Sequence, residues 1–137
     1  MAKKIFSTIS DSEGAWINKS ILIVEDVASN YAFLAATLRK TGAKISWAKN
    51  GEVAIQMIND GEQFDLVLMD VQLSGVDGYE VTRTIKNKFP DLPIIAQTAY
   101  AMMGEKEKSK IAGCDEYLAK PIRPSLLLET LSKYLND

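Results

Sequence analysis

Asp65-Leu66-Val67-Leu68-Met69-Asp70 decides how the rest of the chain is read. Four consecutive apolar residues between acids are too few for a buried helix. They suit a strand covered on both faces, as in a parallel sheet. An ionised carboxylate is costly to bury without a partner or a metal, so Asp70 is expected where this strand meets solvent, at its carboxyl end. Open α/β sheets place their ligands at that edge.

Working outward, the same pattern recurs on both sides. Ser20 to Val24 reads as a first strand ending in Glu25-Asp26, followed by a helix from about Ala28 to Lys40 with apolar residues at Tyr31, Leu34, Ala35 and Leu38. Gly42 stops that helix. Lys44 to Ala48 alternates weakly, as an edge strand does, and Asn50-Gly51 opens a helix over Glu52 to Asn59. Phe64 to Met69 is the third strand. Tyr79 to Lys88 is helical, Pro93 to Thr98 a fourth strand, Met102 to Ala112 a helix and Glu116 to Ala119 a short fifth strand. Pro124 to Leu135 closes the chain as a helix with proline in its first turn. Strict alternation of strand and helix implies right-handed βαβ units and an α/β doubly wound parallel five-stranded sheet. Residues 1–19 show no period and read as a leader or linker, with Trp16 and Ile17 resting on the domain that occupies 20–137.

Composition narrows the function. The chain has 137 residues, 47% hydrophobic and 25% charged, which fits one globular domain with a proper core. Its apolar runs are far too short to span a membrane, and no signal sequence follows the basic start. A lone cysteine, Cys114, excludes an internal disulfide framework and agrees with a cytoplasmic protein. A net charge of −2 without basic clusters gives no footprint for nucleic acid. Histidine is absent, which removes Ser-His-Asp and Cys-His catalysis and histidine-ligated zinc.

In such a sheet Glu25, Asp26, Asp70, Thr98 and Lys120 converge at one edge, although nearly a hundred positions separate the first from the last. Each has an ordinary explanation taken singly: a helix cap, a buried hydroxyl, a surface lysine. Together they are harder to assign to chance. Three gathered carboxylates repel one another unless a cation intervenes, and an all-oxygen donor set favours Mg²⁺ over zinc. A metal, a lysine and a hydroxyl around one carboxylate make a place for a transferring phosphoryl group, and a carboxylate is a recognised nucleophile. Asp70 stands alone on the central strand, so it is the candidate.

Ile21-Leu22-Ile23-Val24-Glu25-Asp26, Leu68-Met69-Asp70, Val76-Asp77-Gly78, Thr98-Ala99 and Tyr117-Leu118-Ala119-Lys120-Pro121-Ile122 together resemble the receiver domain of two-component response regulators, over roughly residues 20–136. The resemblance implies a flavodoxin-like (βα)5 fold with strand order 2-1-3-4-5, an order the general rule for doubly wound sheets itself illustrates with a member of this family. It implies that Asp70 accepts a phosphoryl group from a phosphohistidine on a histidine kinase or histidine phosphotransfer protein. Mg²⁺, or Mn²⁺, is then held by Asp26, Asp70 and the main-chain carbonyl of Gln72, with Glu25 acting through a water. Lys120 and Thr98 stabilise the phosphoryl group, Thr98 and Tyr117 form a switch, and the Lys120-Pro121 bond is cis. Gln72 and Tyr100 tune dephosphorylation, and a surface of the fourth helix, fifth strand and fifth helix meets a downstream partner or a second receiver.

Thr98 to Gly104 and Ala112 to Tyr117 are most similar to receivers of hybrid sensor histidine kinases, so the expectation is a stand-alone receiver or the receiver portion of such a kinase. Leu73-Ser74 replaces a Met-Pro pair common in receivers, which frees the loop backbone. Three other readings compete. A Mg²⁺-dependent phosphatase with an aspartyl nucleophile needs a second Asp where Gln72 stands. A flavin or nucleotide binder needs a phosphate loop where Glu25-Asp26-Val27 stands. A non-phosphorylated, receiver-like interaction module has no use for the full set of Asp26, Asp70, Thr98 and Lys120.

Overall fold

In the computed structural model, which describes residues 12–73, 77–99 and 104–136, the elements alternate as β1 (Ser20–Val24), α1 (Ala28–Arg39), β2 (Lys44–Ala48), α2 (Gly51–Asn59), β3 (Leu66–Asp70), α3 (Gly78–Lys88), β4 (Ile94–Thr98), α4 (Glu105–Ala112), β5 (Glu116–Ala119) and α5 (Pro124–Leu135). The five strands are parallel in the order β2-β1-β3-β4-β5. This is the flavodoxin-like topology expected, with the chain reversing direction across the sheet between β1 and β3.

The apolar run of β3 is buried throughout, as are β4 and all of β1 except its first residue. Alternate residues supply two separate cores. On one face Ile21, Ile23, Leu66, Leu68, Ile95 and Leu118 pack under Leu34 and Leu38 of α1 and Leu127, Leu128 and Leu131 of α5. On the other, Leu22, Val24, Val67, Met69 and Ile94 pack under Ala54 and Ile58 of α2 and Val81 and Ile85 of α3. Helix starts have local causes. Asn50 accepts a hydrogen bond from the Val53 amide at 2.8 Å, Asp77 accepts one from Tyr79 at 2.8 Å, and Pro124 occupies the first turn of α5.

Several expectations shift. β3 begins at Leu66, with the Asp65 side chain before it accepting the Ser20 amide at 2.7 Å, and it extends through Asp70. The helix expected from Met102 begins at Glu105, and Met102 and Met103 lie outside the described residues. Trp16 does more than rest on the domain: it joins the α1/α5 core and donates its indole N–H to Asn136 at 2.7 Å. Ile17, its neighbour, is exposed. Asp70 is not at a solvent boundary. It is 3% exposed, and the compensation for burying it lies in its partners.

Candidate functional site at the carboxyl edge of the sheet

Asp70 ends β3 and Glu25 follows β1, so the parallel register from Ile21 and Leu66 to Val24 and Met69 carries both to one edge. One carboxylate oxygen each from Glu25, Asp26 and Asp70 can be chosen so that all three lie within 4.8 Å of one another. Glu25 is fully buried and Asp26 partly exposed. From the other end of the sheet Lys120, the residue after β5, places its ammonium 3.2 Å from Asp70 Oδ2 and 3.2 Å from Glu25 Oε1. The remaining oxygens are also held: the Gln72 amide donates to Asp70 Oδ1 at 2.9 Å, and the Val27 amide to Glu25 Oε2 at 3.2 Å.

The electrostatics follow from one ammonium serving two buried acids. Burial pushes the Glu25 carboxyl up, its hydrogen bond to Asp70 and the charge there push it further, and Lys120 and the Val27 amide pull back; the result is about 7. Three clustered carboxylates with an all-oxygen donor set suit a hard divalent cation, and the Lys120 charge does not satisfy them. The residues fit Mg²⁺.

Thr98 is fully buried at the end of β4, and its carbonyl accepts the Lys120 amide at 2.7 Å, which ties the lysine-bearing loop to β4. Ala96 pairs with Tyr117 in the register of β4 and β5, so Thr98, two residues on, shares a sheet face with Tyr117. Tyr117 is half-buried against Val71, Tyr79, Ala96 and Ala112. Gln72 reaches across the site: its side-chain oxygen accepts the Ala99 amide at 3.2 Å and links the loops after β3 and β4. The Lys120-Pro121 peptide is cis. Ser74 and Tyr100 lie outside the described residues.

A family model for the response regulator receiver domain matches residues 21–132. The chain belongs to the receiver family. Among curated receivers it is 36% identical over 121 residues to the polar-differentiation response regulator DivK of Brucella anthropi, covering 87% of this chain and 98% of that one. The receiver domain of the sensor histidine kinase PA1611 from Pseudomonas aeruginosa, solved with a magnesium ion in its active-site cleft, superposes with a TM-score of 0.78 at 34% identity, over 85% of this receiver and 97% of that chain. A co-crystal structure of the Saccharomyces cerevisiae histidine phosphotransfer protein Ypd1 with the receiver domain of Ssk1 matches with a TM-score of 0.79 at 29% identity, over 85% and 88%. The protein is thus a receiver of two-component signalling, and no helix among the described residues is long and apolar enough to cross a membrane.

Three features of this receiver site escaped the sequence. Gly78 lies so close to the Asp70 backbone that a β-carbon there would stand 2.3 Å from the Asp70 carbonyl oxygen. Trp47, on the edge strand, donates its indole N–H to the Glu25 carbonyl at 2.8 Å. Gln97 is buried next to Thr98 with its Nε2 unpaired among the described residues. Gly78 stands in the quoted Val76-Asp77-Gly78 motif, but its close approach to Asp70, like the other two features, depends on which elements the topology brings together.

Proposed function

We propose that Asp70 is the phosphoacceptor of this receiver. The observation that carries the reading is Lys120 bridging Asp70 Oδ2 and Glu25 Oε1 at 3.2 Å beside the three-carboxylate cluster. An Asp70 oxygen attacks the phosphorus of a phosphohistidine on a histidine kinase or histidine phosphotransfer protein. The O–P bond forms as the N–P bond breaks, and the departing imidazole nitrogen takes up a proton. Lys120 exchanges its carboxylate contact for the phosphoryl oxygens, and the Thr98 hydroxyl donates to another of them. Mg²⁺, or Mn²⁺, would be held by Asp26, Asp70 and the main-chain carbonyl of Gln72, with Glu25 acting through a water, and would offset the charge gathered at the phosphoryl group.

The switch follows from packing. Drawing Thr98 toward the phosphoryl group empties space on the sheet face that Tyr117 shares, and Tyr117 turns inward. The surface of α4, β5 and α5 changes with it and is offered to a downstream partner or a second receiver, without direct contact to nucleic acid or membrane. Gln72 and Tyr100 tune hydrolysis, Tyr100 by screening the phosphoryl group from water; an unchanged decay rate in Tyr100→Ala ends that part of the proposal. The receiver unit occupies 20–137, with Trp16 of the preceding segment packed into its core, and works in the cytoplasm.

Incubation with phosphoramidate and Mg²⁺ tests the assignment by intact-protein mass spectrometry. Wild type gains one phosphoryl group and Asp70→Asn gains none. An adduct retained by the variant refutes it.

A further inference from the structure

We propose that Trp47 is a positioning residue for the cation site, holding the main chain that carries Glu25 and Asp26. The proposal rests on the cation-binding reading above. The ladder between β1 and β2 ends at Val24 and Ala48, so the Glu25 carbonyl lies just beyond the last paired residues. β2 nevertheless grips this residue at both ends. The Glu25 amide donates to the Ala48 carbonyl at 3.1 Å, and the Glu25 carbonyl accepts the Trp47 indole N–H at 2.8 Å.

The indole is itself held in place. Tyr31 of α1 stacks on it with ring centroids 4.1 Å apart and planes 5° from parallel, and the Lys49 ammonium lies 5.2 Å from its centre on a strand end. Tyr31 also donates its amide to the Val27 carbonyl at 3.1 Å, closing the first turn of α1. The three-residue bend Glu25-Asp26-Val27 is therefore bracketed, with Trp47 on the strand side and Tyr31 on the helix side. Rotation of the Glu25 peptide would swing Asp26, the next residue, relative to Asp70. A hydrogen bond on the Glu25 carbonyl opposes that rotation without touching a carboxylate. An ordinary half-buried aromatic pair explains the stacking but not the indole N–H aimed at this carbonyl.

A positioning role moves cation affinity more than it moves stability. Trp47→Phe retains a ring against Tyr31 and loses only the donor. MgCl2 titrations followed by amide chemical shifts should show binding weakened by about threefold to tenfold, less than the loss usual for a residue bonded directly to a metal ligand's side chain. The urea midpoint should stay close to wild type. An unchanged dissociation constant overturns the proposal. Absence of Mg²⁺ binding by wild type instead sinks the cation reading itself, and Asp26→Asn, which must weaken binding strongly, shows that the titration reports this site. Wild type supplies an independent test should Trp47→Phe fail to fold. The Trp47 indole N–H should be protected from exchange and shift with Mg²⁺ along the same isotherm as the Asp26 amide. A freely exchanging indole that ignores Mg²⁺ contradicts the proposal.

Discussion

Asp70 and Glu25 are both withdrawn from water and share one ammonium, 3.2 Å from each. Removing that ammonium leaves two buried acids uncompensated, a situation that costs about 3 kcal/mol or more. Lys120→Met should therefore destabilise the metal-free protein by about that amount in urea unfolding, and saturating Mg²⁺ should shrink the difference because the cation takes over the neutralisation. Glu25 adds a pH dependence with a definite sign. Its carboxyl loses its proton near 4.5 in the unfolded chain and near 7 in the folded one. Between those values the folded state binds more protons, so the Glu25 contribution makes stability fall as pH rises through the window and level off above it. Urea midpoints measured in chelator from pH 5 to 7.5 should show this decline in wild type, and Glu25→Gln should flatten it. The candidate nucleophile, the neighbouring acids, the lysine and the hydroxyl could be named from their residue types at strand ends. Their burial could not, because its compensation depends on Lys120 arriving from β5, two places from β3 and three from β1 in the sheet.

Among the elements, the approach of α3 to β3 is the tightest constraint on the site. Asp77 caps the helix, and Gly78 lets its first turn lie against the Asp70 and Val71 backbone. A methyl at Gly78 would meet main chain, which cannot swing aside as a side chain can. Gly78→Ala should cost about 3 kcal/mol and displace Asp70, lowering phosphorylation by phosphoramidate more than a surface substitution of equal stability does. Urea unfolding and phosphorylation rates on the same sample check both parts. Strand and helix identities were legible here from period and turn chemistry, since β1, β3 and β4 are buried runs and α2, α3 and α5 have capping residues or proline at their starts. The start of β3 was less legible. Asp65 looks like strand but spends its side chain on the Ser20 amide.

Across the whole molecule, the alternation of strand and helix was enough to predict a doubly wound parallel sheet, whereas the order 2-1-3-4-5 came from the resemblance to receivers, since alternation alone allows other orders. The segment before β1 was not readable in the same way. A lone Trp16 without periodic neighbours gives no hint that it enters the α1/α5 core and bonds Asn136, 120 residues away. Trp16→Ala should lower stability by about 3 to 5 kcal/mol, as removal of a large buried ring does, with phosphorylation retained in the fraction that stays folded. Thermal unfolding checks the first effect and mass spectrometry the second. The central claim is chemical, that Asp70 and no other residue carries the phosphoryl group. It is tested most directly by phosphorylating wild type with phosphoramidate and Mg²⁺, reducing the acyl phosphate with borohydride, and mapping the peptides by mass spectrometry. Position 70 should appear as homoserine, only when Mg²⁺ and phosphodonor are both present. Homoserine at another acidic position, or unmodified Asp70 in protein that has gained a phosphoryl group, would contradict it.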